Sequence, residues 1–154
     1  MKKAFYIVIP VLICFALGYV ASLLQDDSMR EWYPYLNKPS LTPPDWVFPV
    51  AWSILYLMMG ISAGLILYSH DSRRRSVLTI FTIQLILNFS WSIMFFYFRN
   101  LLAGFVNIFL LDIVVIYYIF KSYLLNKISS YLFVPYIIWL LFATYLNSYI
   151  LLNN

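Results

Sequence analysis

The segment QLILNFSWSIMFF, residues 84–96, carries polar side chains at helical spacing. Gln84, Asn88 and Ser92 are four residues apart, so in a helix they form one polar stripe, flanked by Trp91 and Phe95. Polar side chains are costly in lipid, and we expect this stripe to face other helices. Two interpretations remain open. The stripe forms hydrogen bonds between helices, or it forms the polar wall of a ligand pocket.

A second segment, VPYIIWLLFATYLN, combines a large aromatic residue with a small one. Trp139 and Ala143 are one helical turn apart, and Leu146 and Asn147 follow on nearly the same face. A large ring beside a small residue leaves space for a flat ligand. The small residue also suits a close approach by a neighbouring helix, so the spacing alone does not separate these two roles.

Trp52 and Tyr56 repeat the aromatic pattern in a third apolar segment. Aromatic stripes are more often packing surfaces than binding sites. The other reactive residue types are sparse, since Cys14 is the single cysteine and His70 the single histidine. We therefore expect no metal site, and any chemistry would have to come from a bound ligand.

The elements that position these residues are membrane helices. The 154-residue chain is 64% hydrophobic and only 10% charged, whereas a soluble domain averages about 25% charged residues. Five apolar runs are long enough to span a bilayer: about 4–24, 46–69, 77–98, 101–120 and 129–152. The sequence predicts a single all-α membrane domain over residues 1–154, a bundle of five transmembrane helices in the lipid bilayer.

Basic residues predict the orientation of this bundle. Seven lie at the N-terminus and in the second and fourth loops, against three in the first and third loops. The positive-inside rule then places the N-terminus in the cytoplasm and the C-terminus outside. Because the basic residues are dispersed, we expect no nucleic-acid partner.

The first connection, from about Gln25 to Asp45, is unusually long, and we expect it to be structured. The stretch WYPYLNKPSLTPPDWVFP, residues 32–49, holds five of the seven prolines and two of the five tryptophans. Prolines stiffen the backbone, and the aromatic residues supply surface for docking. The segment is interpreted either as an aromatic belt at the head-group level or as a rigid lid over the bundle mouth.

Two features of the predicted helices bear on packing. Asp112 lies near the middle of the fourth helix, where we favour a structural hydrogen bond over a proton relay. The GISAG motif, Gly60 to Gly64, permits close helix contact, within the bundle or between subunits.

These segments together resemble the tryptophan-rich sensory protein / translocator protein (TspO/MBR) family. The resemblance covers the first loop and the second, third and fifth helices, in order and at matching spacing. The matching segments are WYPYLNKPSLTPP, FPVAWSILYLMMG, LNFSWSIMFF and VPYIIWLLFATYLN. The chain departs from animal members in lacking a basic residue after Lys127, so the cholesterol-recognition pattern is missing.

The resemblance implies a homodimer of five-helix subunits, each with a pocket that opens toward the first loop, in a bacterial cell membrane. It implies binding of porphyrins such as protoporphyrin IX or haem, as ligands and not as required cofactors. Some bacterial members are reported to promote light- and oxygen-dependent breakdown of protoporphyrin, and the tryptophans implicated there correspond to Trp52 and Trp139. The family's helix 3 and helix 5 motifs fall on Asn88, Ser92 and Ala143.

A tetrapyrrole is flat and amphipathic, so its ring would stack on aromatic faces and its propionates would lie near the polar mouth, by Lys38. The candidate ligand-binding residues are Trp32, Tyr33, Lys38, Pro43, Pro44, Trp52, Tyr56, Gln84, Asn88, Trp91, Ser92, Phe95, Trp139, Phe142, Ala143, Leu146 and Asn147. Three functions compete: a porphyrin sensor or carrier, a photo-oxidative porphyrin-degrading enzyme, and a regulatory or structural partner of other membrane proteins.

Overall fold

A computed structural model describes the backbone of residues 2–154 and the side chains from Ala4 onward. Six α-helices follow one another in this part of the chain. They are α1 (Lys2–Glu31), α2 (Val47–Tyr68), α3 (Arg74–Ser92), α4 (Leu101–Tyr123), α5 (Lys127–Tyr131) and α6 (Val134–Asn153). They form five apolar spans, the last made of α5 and α6 together. The predicted class, an all-α membrane protein with five spanning helices, is confirmed.

The first helix is longer than predicted. It continues past Leu24 to Glu31, although the added residues are mostly polar. Two hydrogen bonds to the end of α3 hold this extension: Gln25 Nε2 donates to Ser92 Oγ at 2.7 Å, and Ser28 Oγ donates to the Phe96 carbonyl at 2.6 Å. The connection to α2 therefore begins at residue 32 and not near Gln25.

The fifth predicted helix, residues 129–152, is interrupted. A turn at residues 132–133 separates α5 from α6, and Pro135 lies in the first turn of α6. Proline has no N–H to donate to the preceding turn, so a helix readily begins with proline but seldom runs through it.

The third helix ends in a wider turn than an α-helix has. Residues Ile93–Tyr97 form a π-helical turn, in which the Phe98 N–H donates to the Ile93 carbonyl at 2.9 Å. Arg99 then adopts a left-handed backbone with φ of 51°, and the Asn100 side chain caps α4 by accepting from the Ala103 N–H. This three-residue connection, residues 98–100, makes α3 and α4 antiparallel neighbours.

The GISAG motif packs within the bundle. A Cβ atom at Gly60 would meet the backbone of Val11 on α1, and one at Gly64 would lie 2.7 Å from the Cα atom of Ile7. The two glycines thus let α1 and α2 approach each other closely. Of the two roles that the sequence left open for this motif, the fold shows the contact within one chain.

Candidate functional site

A cavity of about 440 Å³ lies between α1, α2, α3 and α6, next to the segment that follows α1. Aromatic rings and small side chains form most of its wall. Ten predicted residues line it: Tyr33, Trp52, Tyr56, Asn88, Trp91, Ser92, Phe95, Ala143, Leu146 and Asn147. The fold therefore brings together residues that lie more than one hundred positions apart in the sequence.

Stacked rings form one side of the cavity. The ring of Trp52 stacks on that of Tyr56, with centroids 5.6 Å apart and planes 29° apart. Trp91 lies 6.3 Å from Trp52 and stacks in turn on Phe95, at 5.6 Å and 20°. Because aromatic rings attract one another in offset-stacked and edge-to-face arrangements, this wall suits a flat aromatic ligand.

The polar stripe of α3 both borders the cavity and forms hydrogen bonds between helices. Asn88 accepts from the Tyr56 hydroxyl at 3.0 Å and donates from Nδ2 to the Tyr136 hydroxyl at 2.8 Å. Trp91 Nε1 donates to Asn147 Oδ1 at 3.2 Å. The hydrogen bonds between helices are confirmed, and they also fix the orientation of rings that line the cavity; that the stripe contacts a ligand stays a prediction.

Gln84, one turn before Asn88, does not line the cavity. Its side chain is fully buried, and neither its Nε2 nor its Oε1 atom has a hydrogen-bond partner among the described residues. The stripe predicted from the sequence therefore divides: Asn88 and Ser92 border the cavity, and Gln84 lies within the helix packing.

Trp139 does not line the cavity either, but it contacts Phe48, which does. Its ring contacts those of Phe48 and Phe142 edge-on or tilted, with centroids 6.0 Å and 5.9 Å apart. Ala143, only 8% exposed, does line the cavity. Residues four apart on a helix point in directions about 40° apart, and a long indole ring amplifies that divergence. The predicted ledge of Trp139 above Ala143 is therefore not part of the cavity wall, and neither is Phe142.

The segment after α1 borders the cavity through Tyr33 and Asp45. Trp32 does not line it, but its ring packs edge-on against Phe95 at 5.6 Å. Lys38, Pro43 and Pro44 line a separate open groove of about 690 Å³, which also includes Asp45. Lys38 thus lies outside the cavity wall, in a groove that shares Asp45 with the cavity; its predicted place near porphyrin propionates at the mouth stays a prediction.

Hydrogen bonds to the end of α6 hold this segment in place. The Asn37 N–H donates to Asn154 Oδ1 at 2.9 Å, and Asn37 Nδ2 donates to the Asn153 carbonyl at 3.0 Å. Asn154 Nδ2 donates in turn to the Asn37 carbonyl at 3.2 Å. The connection predicted to be structured is therefore fastened at its middle to the helix that carries Ala143.

The sequence did not point to the α1 side of the cavity. Residues of α1 and of the start of α2 complete the wall: Phe15, Gly18, Tyr19, Ala21, Ser22, Gln25, Asp26, Met29, Phe48, Pro49 and Ser53. Phe96 and Ile150 also line it. The α1 sequence is apolar on all sides over most of its length, so its periodicity does not distinguish a cavity face from a lipid face. The break in that pattern at Ser22 and Gln25 is the one available signal.

Asp112 lies outside the cavity. It is 5% exposed, and its Oδ2 atom accepts a hydrogen bond from the Thr144 hydroxyl of α6 at 2.7 Å. This contact agrees with the structural hydrogen bond favoured from the sequence.

Comparison with known proteins points to one family. The model of the TspO/MBR family matches residues 10–152. The chain is 43% identical over 117 residues to the tryptophan-rich protein TspO of Archaeoglobus fulgidus, covering 71% of this chain and 72% of that protein. It is 36% identical over 117 residues to the protein of the same name from Chlorobaculum tepidum, covering 75% and 74%. It is 33% identical over 106 residues to the human translocator protein, covering 67% and 60%.

The family match runs through the helices and the segment that enclose the cavity, and it includes every predicted site residue. The chain belongs to the TspO/MBR family.

Proposed function

We propose that this membrane protein binds a flat tetrapyrrole, such as protoporphyrin IX or haem, in the cavity between α1, α2, α3 and α6. It would act as a sensor or carrier of that ligand. The observation that supports this proposal best is the wall of stacked rings formed by Trp52, Tyr56 and Trp91 beside the small residue Ala143.

The physical basis is ring stacking in a site of suitable shape. Aromatic ring pairs contribute about 0.5–1.5 kcal/mol beyond the area that they bury, and several ring faces are available here. Small-molecule sites are typically apolar cavities with a few fixed polar groups, and Asn88 and Asn147 supply such groups. Relatives of this chain are named for sensory and translocator roles, which fits a protein that recognises or moves a ligand.

The arrangement in the membrane is part of the same proposal. We place the protein in the bacterial cell membrane with its N-terminus in the cytoplasm, so that the cavity mouth near Tyr33 faces outward. We also propose that two copies associate as a homodimer. The porphyrin would be the ligand itself and not a resident cofactor.

A second candidate function is light- and oxygen-dependent breakdown of the bound porphyrin. Trp52 favours it, because an oxidisable indole lines the cavity where an excited porphyrin would lie. Trp91 is a second indole at the same wall. Trp139 gives this candidate less support than Trp52 does, because its ring does not line the cavity and lies behind the wall residue Phe48.

Fluorescence titration tests the binding proposal. Purified protein in uncharged detergent would be titrated with protoporphyrin IX, haem and a porphyrin dimethyl ester. Trp52 and Trp91 line the cavity, so we expect saturable quenching of tryptophan emission. Quenching no greater than that of free tryptophan in the same detergent would contradict the proposal.

Illumination of the saturated sample then separates the two candidate functions. If the protein is only a sensor or carrier, the porphyrin absorbance should decay at the same rate with and without protein. A porphyrin-degrading enzyme gives faster decay and a new product that requires both light and oxygen.

A further inference from the structure

The charged side chains that line the cavity are both acidic. Asp26 and Asp45 belong to the wall, and no lysine or arginine does so among the residues whose side chains are described. Asp26 has a cationic partner, because its Oδ1 atom lies 2.9 Å from Arg30 Nη2. Asp45 has neither an ion pair nor a hydrogen bond with any described side chain. The cavity thus carries one uncompensated negative charge.

Asp45 lies where the cavity meets the outside. It is exposed, and it lines both the cavity and the open groove that holds Lys38, Pro43 and Pro44. A substituent at the edge of a ligand that fills the cavity would therefore pass close to this carboxylate on its way in and out.

Tyr33 offers a second polar group at the same place. It is only 6% exposed and lines the cavity, yet its hydroxyl makes no hydrogen bond with any described residue. Burial raises the pKa of the Tyr33 hydroxyl to about 12, with a smaller contribution from the negative charge of Asp45. The hydroxyl is therefore protonated and free to donate to a ligand.

Lys38 does not offset Asp45 inside the cavity. Its ammonium donates to the Tyr33 carbonyl at 2.7 Å and to the Pro34 carbonyl at 3.3 Å, and it lies 4.6 Å from the centre of the Tyr33 ring. These contacts hold the positive charge on the groove side. No cation lines the cavity itself among the described residues, so a carboxylate on the cavity side of Asp45 would meet that acid alone.

We propose that Asp45 determines which flat ligands the cavity accepts, favouring those with a cationic nitrogen at the ring edge and disfavouring those with a carboxylate there. This inference rests on the proposed function for the identity of the ring system: protoporphyrin IX and haem, which carry two propionates, bind through the ring and rank below a cationic derivative of the same macrocycle. A cationic edge gains from the charge of the free Asp45 carboxylate. An anionic edge is repelled, and such repulsion contributes to specificity as much as attraction does.

Three protoporphyrin derivatives with one macrocycle provide the test: the diacid, its dimethyl ester and its bis(2-aminoethyl) amide. They carry negative, zero and positive substituents at the same positions. Titrations of tryptophan fluorescence in uncharged detergent should rank the amide tightest and the diacid weakest. Because Asp45 is exposed and screened, we expect the dissociation constants of successive derivatives to differ by about three- to fivefold at low salt. These differences should shrink as salt is added.

The Asp45→Asn variant isolates the carboxylate. It should reduce the ratio of the diacid and amide dissociation constants to within about twofold of one, while Asp27→Asn should leave that ratio as in the unmodified protein. Asp27 is a matched control, since it is an exposed acid of α1 that does not line the cavity. Equal ratios in the unmodified protein and in Asp45→Asn would overturn the inference.

A second probe pair separates this inference from the proposed function. 1-Naphthylmethylamine and 1-naphthylacetic acid are small flat ligands of opposite charge. If the porphyrins fail to bind but the amine binds more tightly than the acid in an Asp45-dependent manner, tetrapyrrole binding is wrong and the role of Asp45 stands. If porphyrins bind without regard to Asp45, tetrapyrrole binding stands and the role of Asp45 is wrong.

Discussion

The hydroxyl of Tyr56 donates a hydrogen bond to Oδ1 of Asn88, and the two atoms lie 3.0 Å apart. This bond crosses from α2 to α3 inside the apolar bundle. Asn88 Nδ2 also donates a hydrogen bond to the hydroxyl of Tyr136 on α6. One amide therefore joins three helices and sets the direction of the Tyr56 ring, on which Trp52 stacks at the cavity wall.

Replacing Asn88 with leucine should destabilise the protein more than its small change in size suggests. The substitution leaves two buried tyrosine hydroxyls without their partner, and each unsatisfied group costs about 1–3 kcal/mol. We expect a lower midpoint of thermal unfolding in detergent, measured by circular dichroism. The control is Ser148→Ala, which removes a bond from a less buried hydroxyl to the Tyr145 carbonyl. Equal midpoints for the two variants would contradict this role of Asn88.

Adding one methyl group at Gly60 should loosen the contact between α1 and α2. In an open helix the change from glycine to alanine is favourable by about 1 kcal/mol. Here the new Cβ atom would meet the backbone of Val11, which cannot move aside without shifting α1. We expect Gly60→Ala to lower the midpoint of thermal unfolding, whereas Leu57→Ala on the exposed face of α2 should change it less. An unchanged or raised midpoint in Gly60→Ala would show that the helices are not in close contact there.

Trp52 and Trp139 should behave differently when each is replaced by phenylalanine. Trp52→Phe removes an indole that lines the cavity, so porphyrin should quench less of the remaining emission and bind several-fold more weakly. Trp139→Phe changes a ring that lies behind the wall residue Phe48 and does not itself line the cavity, and affinity should stay within about twofold of the unmodified protein.

The same two variants test the photochemical alternative. If breakdown occurs, Trp52→Phe should slow it, because phenylalanine is much harder to oxidise than tryptophan, and Trp139→Phe should not. A stronger effect on porphyrin breakdown from Trp139→Phe than from Trp52→Phe would mean that the ligand lies elsewhere in the bundle.

Orientation can be tested at Ser40, an exposed residue of the segment between α1 and α2. A cysteine at this position, in a Cys14→Ala background, should react with a membrane-impermeant thiol reagent on intact cells. Bacteria with an outer membrane would first be converted to spheroplasts. Reaction only after lysis would reverse the predicted orientation, which rests on the distribution of basic residues between the loops.

Much of the fold could be predicted from the sequence because length and hydropathy are sufficient to define membrane spans. The ends of the helices were harder to predict. The extension of α1 to Glu31 depends on Gln25 and Ser28 finding partners on α3, some 67 residues away in the sequence. Such long-range contacts override the polar composition of the segment, and no local pattern reveals them.

Only part of the cavity wall could be predicted from the sequence, again because local spacing does not determine tertiary contacts. Spacing places Asn88 and Ser92 on one helix face, and that face does border the cavity. Spacing does not determine how far each helix is rotated about its axis, and the apolar helices of this bundle lack the polar outer face that would show it. Gln84 and Trp139 therefore lie outside the cavity wall although their periodicity matched that of residues inside it. The α1 wall has no aromatic or polar motif strong enough to be recognised in advance.

The most direct test of the central claim is porphyrin titration of the Ala143→Phe variant. Ala143 lines the cavity on α6, so a phenyl ring there should fill part of its roughly 440 Å³ and exclude a macrocycle. Ala16→Phe on the exposed face of α1 is the matched control, and circular dichroism should show that both variants are folded. We expect Ala143→Phe to lose saturable quenching by protoporphyrin IX and Ala16→Phe to retain it. Equal affinity in Ala143→Phe and the unmodified protein would contradict the assignment of the binding site to this cavity.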